Sequence, residues 1–244
     1  KNKNYHYINY DLRNKRFDLD ILNNSDTVVI LASLVGDPIS NKYKKATKSI
    51  NIIATKKFIE KSIKAGVKKL IFVSTCSNYG LIETNLAAKE NYKLNPLSPY
   101  AKSKVEIEKF LIKKTRNKIK TKISILRFAT AFGFSERMRF DLTVNEFIKT
   151  IMQKKKLIIY DENTWRPYCH VKDFARLIYK IFKSSSKTNL DILNVGENKN
   201  NATKLTILKK ILKYLPHKNI EFKKIGKDKR NYIVNFNKVK KKYN

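Results

Sequence analysis

Short apolar runs separated by amphipathic stretches make up the first half of the chain. Residues 27–32 (TVVILA), 70–73 (LIFV) and 122–128 (KISILRF) are rich in β-branched or other apolar side chains. Such runs are typical of strands that are buried on both faces of a parallel sheet. Residues 5–10 alternate aromatic and polar side chains, which predicts a further strand at the start of the chain.

Helical patterns lie between these strands. Apolar side chains recur at helical spacing in residues 49–64, Gly66 is placed to end that helix, and another helix is expected to begin near Pro99. Strands that alternate with helices in this way predict right-handed βαβ units. We therefore expect an α/β fold built on a doubly wound, Rossmann-like parallel sheet.

The pattern changes after residue 134. Three helices and three short strands are predicted in the second half, the helices near 142–152, 171–182 and 203–215 and the strands at 157–160, 192–194 and 219–222. We expect residues 1–134 to form the Rossmann-like domain. Residues 135–244 are expected to form mainly a smaller mixed substrate-binding lobe, with segments around 157–182 returning to the first domain. The lysine-rich tail after Lys224 is expected to be poorly ordered.

A formal net charge of +34 at pH 7 raises the question of a polyanionic partner. Clustered Lys and Arg would favour nucleic-acid binding. Here 45 of the 54 basic residues are lysines, which are spread over predicted helix surfaces and tails, and no nucleic-acid-binding motif accompanies them. We expect weak, salt-sensitive association with polyanions and no specific nucleic-acid partner.

Several classes of protein are disfavoured by what the sequence lacks. No window is long and apolar enough to span a membrane, and no signal peptide is visible. Cys76 and Cys169 lie in unlike contexts and provide neither a disulfide framework nor metal-ligand spacing, so a cytoplasmic protein without a metal site is expected. The six glycines form no Gly-x-Gly-x-x-Gly or Walker loop.

Candidate chemistry lies between residues 69 and 104. A strand that ends at Ser74 and Thr75 is followed by a helix that carries Tyr100 and Lys104. Residues four apart share one face of a helix, so the Lys104 ammonium can act on the Tyr100 phenol and favour the phenolate. The spacing alone is a weak signal, because Tyr is followed four residues later by Lys at three other places. The preceding strand and the proline at the helix start make this pair the candidate acid/base.

Taken in order, several segments resemble the extended short-chain dehydrogenase/reductases, the NAD-dependent epimerase/dehydratase family of enzymes that act on nucleotide sugars. The matching segments are residues 11–12, 31–33, 74–80 (STCSNYG), Tyr100 with Lys104, 126–133, 165–173 (WRPYCHVKD) and 194–196. They follow the family order over nearly the whole chain, so the set is specific although each piece is not. In this family a first strand, a glycine-rich turn and a second strand come roughly fifty residues before the first segment. The resemblance therefore implies a chain that is truncated at its start and, before the family's last helix, at its end.

The resemblance implies a bound NAD or NADP and a hydride-transfer reaction. Cofactor contacts are implied for Asp11, Leu12, Leu31, Ala32, Ser33, Tyr100, Lys104 and Phe128. Catalytic roles are implied for Thr75, Tyr100 and Lys104. Tyr100 would remove the proton from a sugar hydroxyl as its carbon gives up hydride, and Thr75 would hydrogen-bond the same oxygen.

Arginine is scarce in this chain, so its positions are informative. Arg127, Arg137, Arg139 and Arg166 fall in or beside matching segments of the second half. Because planar bidentate donors suit a diphosphate, we expect Arg137, Arg139 and Arg166, together with Thr130, to bind the substrate. Arg127 is expected to be structural, and strand-end salt bridges are the alternative explanation for all four arginines.

Departures from the family pattern limit the chemistry. The 4,6-dehydratases of this family carry a Thr-Asp-Glu-like sequence at the position where this chain has Thr75-Cys76-Ser77. Elimination of water is therefore not expected. The proton-transferring cysteine of the GDP-sugar epimerase/reductases lies two residues after a serine, whereas Cys76 directly follows Thr75. Cys76 is therefore expected to be structural.

Three functions remain open. The first is an epimerase that oxidises a nucleotide sugar transiently, and the second is a nucleotide-sugar ketoreductase or dehydrogenase. The third is of another class, a non-catalytic nucleotide- or RNA-binding module on the same fold. A homodimer is implied by the resemblance alone.

Overall fold

The computed structural model describes residues 4–14, 19–82, 86–185, 188–224, 226 and 230–243. The strands, numbered along the chain, are β1 (Thr27–Ile30), β2 (Lys69–Thr75), β3 (Lys122–Phe128), β4 (Thr130–Phe132), β5 (Leu157–Tyr160), β6 (Trp165–His170), β7 (Leu190–Val195), β8 (Asn201–Thr203) and β9 (Ile220–Lys223). The helices are α1 (Leu19–Asn23), α2 (Asp37–Lys42), α3 (Lys44–Thr47), α4 (Thr55–Lys64), α5 (Pro99–Thr115), α6 (Thr143–Met152), α7 (Val171–Lys183), α8 (Lys204–Leu212) and α9 (Asn237–Tyr243). A π-helix, Lys48–Ala54, joins α3 to α4.

Four parallel strands in the order β1–β2–β3–β7 form the main sheet. Side chains of successive residues point to opposite faces, so Leu70 packs with α4 and α5 while Ile71 packs with α7. Helices therefore cover both faces, which is the arrangement that makes continuous apolar strands stable. The predicted α/β class and the Rossmann-like parallel sheet are confirmed.

Two small sheets complete the fold. Strands β4, β6 and β8 form one, in which β4 and β6 are parallel and β6 and β8 antiparallel, and β5 pairs with β9 in the other. Phe147 and Ile151 of α6 pack with Leu208 of α8 against the β5 side chains in a separate apolar cluster. The strand predicted at 192–194 is part of β7, which joins the main sheet rather than the smaller lobe.

The strand predicted at residues 5–10 is wrong. This segment has no strand geometry, and Tyr5 and Tyr7 are 73% and 76% exposed. A strand needs a neighbour that satisfies its backbone N–H and C=O groups, and no described strand pairs with this segment. Alternation of aromatic and polar residues was therefore insufficient without a pairing partner.

The prediction of a poorly ordered tail is also wrong for residues 230–243, while 225 and 227–229 lie outside the described residues. Tyr232, Val234 and Phe236 are buried at alternating positions. The carbonyls of Asn231 and Ile233 accept hydrogen bonds from backbone N–H groups in the segment after β2, at 2.9 and 2.8 Å. The tail thus packs against the segment that follows Thr75.

No helix in the described part of the chain has the length and apolar character needed to cross a membrane.

Candidate active site

A cavity of about 340 Å³ opens where β1, β2 and β3 end. Its walls come from these strand ends, from the start of α5, from residues 139–143 and from the tail. The carboxyl edge of a parallel sheet is the usual ligand site in α/β proteins, because the loops that follow the strands converge there. The cavity is therefore the first place to look for the predicted site residues.

Helix α5 places the candidate acid/base pair in this cavity. Ser98 caps the helix by accepting a hydrogen bond from the Ala101 N–H at 3.2 Å, and Pro99 suits the first turn. Tyr100 and Lys104 then lie one turn apart, with the Lys104 Nζ 5.7 Å from the Tyr100 ring centre. Both residues line the cavity.

Thr75 completes this group from the end of β2. Its side chain is hydrogen-bonded to the Tyr100 hydroxyl and also accepts the Ser77 N–H at 3.1 Å. Lys104 donates a 2.9 Å hydrogen bond to the Val73 carbonyl on the same strand. The structure therefore brings together the three residues for which catalysis was expected.

Burial sets the charge states of this pair in the cavity. Burial raises the pKa of Tyr100 to about 12, although the positive charge of Arg139 and the hydrogen bond with Thr75 act in the opposite direction. Burial also lowers the pKa of Lys104 to about 8, an effect that the negative charge of Glu108 opposes. The phenol is therefore neutral near pH 7, and additional positive charge in the cavity is needed to form the phenolate.

The expected cofactor residues fall into two groups. Leu31 and Phe128 line the cavity beside Tyr100 and Lys104, whereas Ala32 and Ser33 follow Leu31 without lining it. Leu12 lines a separate cavity of about 320 Å³ beside α4.

Asp11 precedes Leu12 in the chain and lies outside the cavity that holds Tyr100 and Lys104. It pairs with Arg13 at 2.5 Å, and this hydrogen-bonded contact lowers the pKa of the carboxyl to about 2. The structure thus does not bring Asp11 and Leu12 to the catalytic group. A dinucleotide could contact both regions only if it extended from the cavity beside α4 to the cavity that holds Tyr100 and Lys104.

The residues in the catalytic cavity fit the nicotinamide-ribose part of such a cofactor. Leu31 and Phe128 provide apolar walls, and the Lys104 ammonium has three N–H groups, one of which is used by the Val73 carbonyl. Lys104 and Tyr100 could therefore hold ribose hydroxyls. A glycine-rich cradle for the pyrophosphate is not among the 244 residues.

The arginines expected to bind substrate separate in the structure. Arg139 and Arg166 line the cavity together with Thr130, but Arg137 is exposed and outside it. Arg139 pairs with Asp141 at 2.6 Å. Arg166 is buried and lies over the ring of Tyr232, with its guanidinium carbon 5.0 Å from the ring centre.

Arg127 does not line the cavity. Its guanidinium forms a 2.7 Å ion pair with Glu108, and both side chains are almost completely buried. It also donates to the Tyr79 hydroxyl and the Glu90 carbonyl. Arg127 is therefore structural, as expected.

Sequence reasoning missed several cavity residues, among them Asp37, Arg230 and Tyr232. Arg230 pairs with Asp37 of α2 at 2.6 Å, and its carbonyl accepts a hydrogen bond from Arg166. Tyr232 lines the same cavity and its hydroxyl is 3.2 Å from the Ser77 Oγ. The scarcity of arginine could have identified Arg230, but this residue lies in the tail that was expected to be disordered.

Within the described ranges, no group of three or more His, Cys, Asp or Glu side chains is arranged to hold a metal ion. Cys76 is buried and its thiol donates to the Arg127 carbonyl, which fits the structural role expected for it. Burial raises the pKa of this thiol well above its usual range.

Comparisons with known proteins identify the family of this chain. The model of the NAD dependent epimerase/dehydratase family matches residues 1–196. A UDP-glucuronate 4-epimerase from Thermodesulfobacterium geofontis is 31% identical over 192 residues, which cover 78% of this chain and 54% of that protein. A putative UDP-glucose 4-epimerase from Methanocaldococcus jannaschii is 26% identical over 200 residues, covering 79% of this chain and 63% of that protein.

A solved structure extends the likeness to the fold. The UDP-N-acetylglucosamine 4-epimerase from Methanobrevibacter ruminantium M1, in complex with UDP-N-acetylmuramic acid, is 26% identical, with a TM-score of 0.83, and the match covers 96% of this chain and 75% of that one. This chain spans between 39% and 63% of the length of the first three curated relatives that it matches.

Proposed function

The chain belongs to the NAD-dependent epimerase/dehydratase family, and we propose that it is a nucleotide-sugar epimerase that acts by transient hydride transfer. The observation that carries this proposal is the meeting of Thr75, Tyr100 and Lys104 in one cavity at the carboxyl edge of the sheet. The family name states NAD dependence, which agrees with the nicotinamide cofactor expected from the sequence.

The chain's own residues would hold and move the proton. When bound, NAD or NADP supplies a group that accepts a hydride and returns it. Tyr100, as phenolate, takes the hydroxyl proton of the sugar and gives it back when the carbon is reduced from the other face. Thr75 hydrogen-bonds the reacting oxygen, and Lys104 favours the phenolate through its charge.

The remaining contacts are assigned by position. Leu31 and Phe128 would border the nicotinamide, with Ala32 and Ser33 behind them, and Asp11 and Leu12 would border the adenine. Thr130, Arg139 and Arg166 would hold the substrate diphosphate, because guanidinium groups match phosphate oxygens in pairs. Arg137 lies outside the cavity, so its role as a substrate contact is the weakest of these assignments.

A nucleotide-sugar ketoreductase or dehydrogenase is the second candidate, because the same three residues would serve a net redox reaction. A non-catalytic nucleotide- or RNA-binding module is the third, and the net charge of +34 favours it. A homodimer remains part of the proposal, and size-exclusion chromatography with light scattering would test it.

The experiment that separates these functions follows products and cofactor together. The purified protein is incubated with UDP-, GDP- and dTDP-sugars and with oxidised or reduced nicotinamide cofactors, beginning with the UDP-sugars named for the relatives. A new sugar isomer without net change in nicotinamide absorbance supports the epimerase, and stoichiometric cofactor consumption supports the reductase or dehydrogenase. Failure to bind nicotinamide nucleotides, combined with salt-resistant RNA binding, would replace both with the module.

A further inference from the structure

Glu108 is a buried carboxylate that lies one helical turn beyond Lys104 on α5. It is 1% exposed, and its two oxygens accept hydrogen bonds from three side chains. These donors are Ser74 Oγ at 2.5 Å, Asn78 Nδ2 at 2.8 Å and the Arg127 guanidinium at 2.7 Å. Each carboxylate oxygen is therefore hydrogen-bonded, and the guanidinium supplies the opposite charge.

Two of the three partners of Glu108 are adjacent in sequence to a residue of the proposed active site. Ser74 directly precedes Thr75 on β2, and Arg127 directly precedes Phe128 on β3. Glu108 itself shares a helix face with Lys104 and Tyr100, because these residues are spaced by four. One side chain therefore connects α5 to the ends of β2 and β3, two of the three strands that end at the cavity.

Glu108 also acts on Lys104 through its negative charge. Lys104 contacts the Phe72 ring at 4.8 Å and the Val73 carbonyl on β2, and the charge that acts on it most is that of Glu108. Tyr100 is faced by other charges, from Arg139 and Asp37, and by the Tyr232 hydroxyl.

We propose that Glu108 is a positioning residue, which holds α5 against the ends of β2 and β3 and whose negative charge keeps Lys104 an ammonium in the cavity. The catalytic role of Glu108 rests on the proposed function. Its charge effect on Lys104 is independent of that function, because the ionisation of Lys104 can be measured without substrate or cofactor.

Glu108→Gln tests the charge effect directly. Trace acetylation with acetic anhydride between about pH 6 and about pH 11, followed by site-resolved mass spectrometry, gives the titration midpoint of Lys104 in the whole chain. We expect a midpoint near pH 8 in the wild type. In Glu108→Gln the midpoint should fall by about one pH unit, because a nearby opposite charge has been removed.

Glu106→Gln is the matched control, since Glu106 is on the same helix but pairs with Lys56 at the surface, at 2.6 Å. It should leave the Lys104 midpoint unchanged. Glu108→Gln leaves Arg127 as a buried, unpaired charge. The second variant therefore combines Glu108→Gln with Arg127→Gln. Circular dichroism checks that each variant is folded. An unchanged Lys104 midpoint in either folded variant, or an equal shift in Glu106→Gln, would overturn the proposal.

Turnover provides a separate reading of the positioning effect. In an active holoenzyme, we expect Glu108→Gln to lower kcat and to move the alkaline limb of the pH profile of kcat towards lower pH. Glu106→Gln should do neither. If the Lys104 midpoint moves but no substrate is turned over, the proposed function fails and the charge effect of Glu108 stands.

Discussion

Two buried cations, Arg127 and Lys104, lie on neighbouring elements and have opposite environments. Arg127 does not line the cavity, and although burial lowers its pKa, the hydrogen bonds and charge of Glu108 raise it overall. Lys104 faces the cavity, where it donates to the Val73 carbonyl and burial lowers its pKa to about 8. The first cation has a hydrogen-bonded carboxylate as its partner, and the second has mainly a neutral carbonyl.

This difference distinguishes a cation that stabilises the fold from one that is suited to catalysis. A buried cation that is fully compensated is costly to disturb, because removing one partner strands the other. A buried cation that is only partly compensated has a shifted pKa, which is typical of functional sites. In the proposed mechanism Lys104 and the Tyr100 phenol are the reactive pair, and we propose that the Arg127–Glu108 pair fixes the elements that carry them.

Tyr100→Phe is the change with the largest expected effect on the reactive side. We expect kcat to fall about 10³- to 10⁴-fold, because general acid/base catalysis is lost. NAD binding should weaken by less than about tenfold, as one hydrogen bond is removed. Product formation and isothermal titration calorimetry check the two parts.

Tyr179→Phe is a matched control for this prediction. Tyr179 is 60% exposed on α7, and Lys183 lies four residues later with its Nζ 5.7 Å from the ring centre. The same spacing is therefore present without the cavity, and activity should be unchanged. An active Tyr100→Phe enzyme would remove the mechanism.

On the scaffold side, Arg127→Met should lower the free energy of unfolding by about 3 kcal/mol or more, because Glu108 is left as a buried, unpaired charge. Arg139→Met should change it by less than about 1 kcal/mol, since Arg139 pairs with Asp141 at a partly exposed site. Urea unfolding of both variants measures the difference. Equal destabilisation would contradict the scaffold role of the Arg127–Glu108 pair.

Lys104→Met should stabilise the protein at pH 7 by about 2 kcal/mol, while abolishing catalysis. The depressed pKa of about 8 in the fold means that the buried ammonium opposes folding at neutral pH, and the lost hydrogen bond offsets part of the gain. As pH rises from 8 towards 10.5, the wild type loses this penalty, so the advantage of the variant should shrink. Unfolding at pH 7 and pH 10 tests the sign, and a less stable variant at pH 7 would refute the explanation.

The smallest expected effect concerns the substrate side of the cavity. Arg139→Gln should raise KM about tenfold and change kcat by less than about threefold, because a diphosphate contact made before and during the reaction is lost. Arg116→Gln, at an exposed position at the end of α5, serves as the control. A fall in kcat without a change in KM would assign Arg139 to the chemistry instead.

The sequence predicted those parts of the fold that depend on local patterns. Strands at Lys122–Phe128 and Leu157–Tyr160 were found within the predicted limits, because their apolar runs are continuous. The strand predicted at residues 5–10 was not found, since strand formation depends on a partner that is distant in sequence. The buried alternation of Tyr232, Val234 and Phe236 was hidden by the lysines around it.

The same distinction holds for the site. Helical spacing alone places Lys104 beside Tyr100, and both are in the cavity as expected. Asp37 and Arg230, however, belong to segments nearly the whole chain apart, so no local pattern could show that they pair across the cavity. Arg137 and Arg139 were expected to serve the same role, and only the structure shows that Arg139 lines the cavity while Arg137 lies outside it.

The measurement that tests the central claim most directly is isotope retention during epimerisation. The reaction is run in D₂O with the nucleotide sugar that the protein converts, and the product is examined by NMR and mass spectrometry. Transient oxidation with Tyr100 as acid/base predicts an inverted carbon that keeps its original hydrogen, because only the hydroxyl proton exchanges with solvent. Deuterium at the inverted carbon would show that the carbon is deprotonated instead, and would contradict the account.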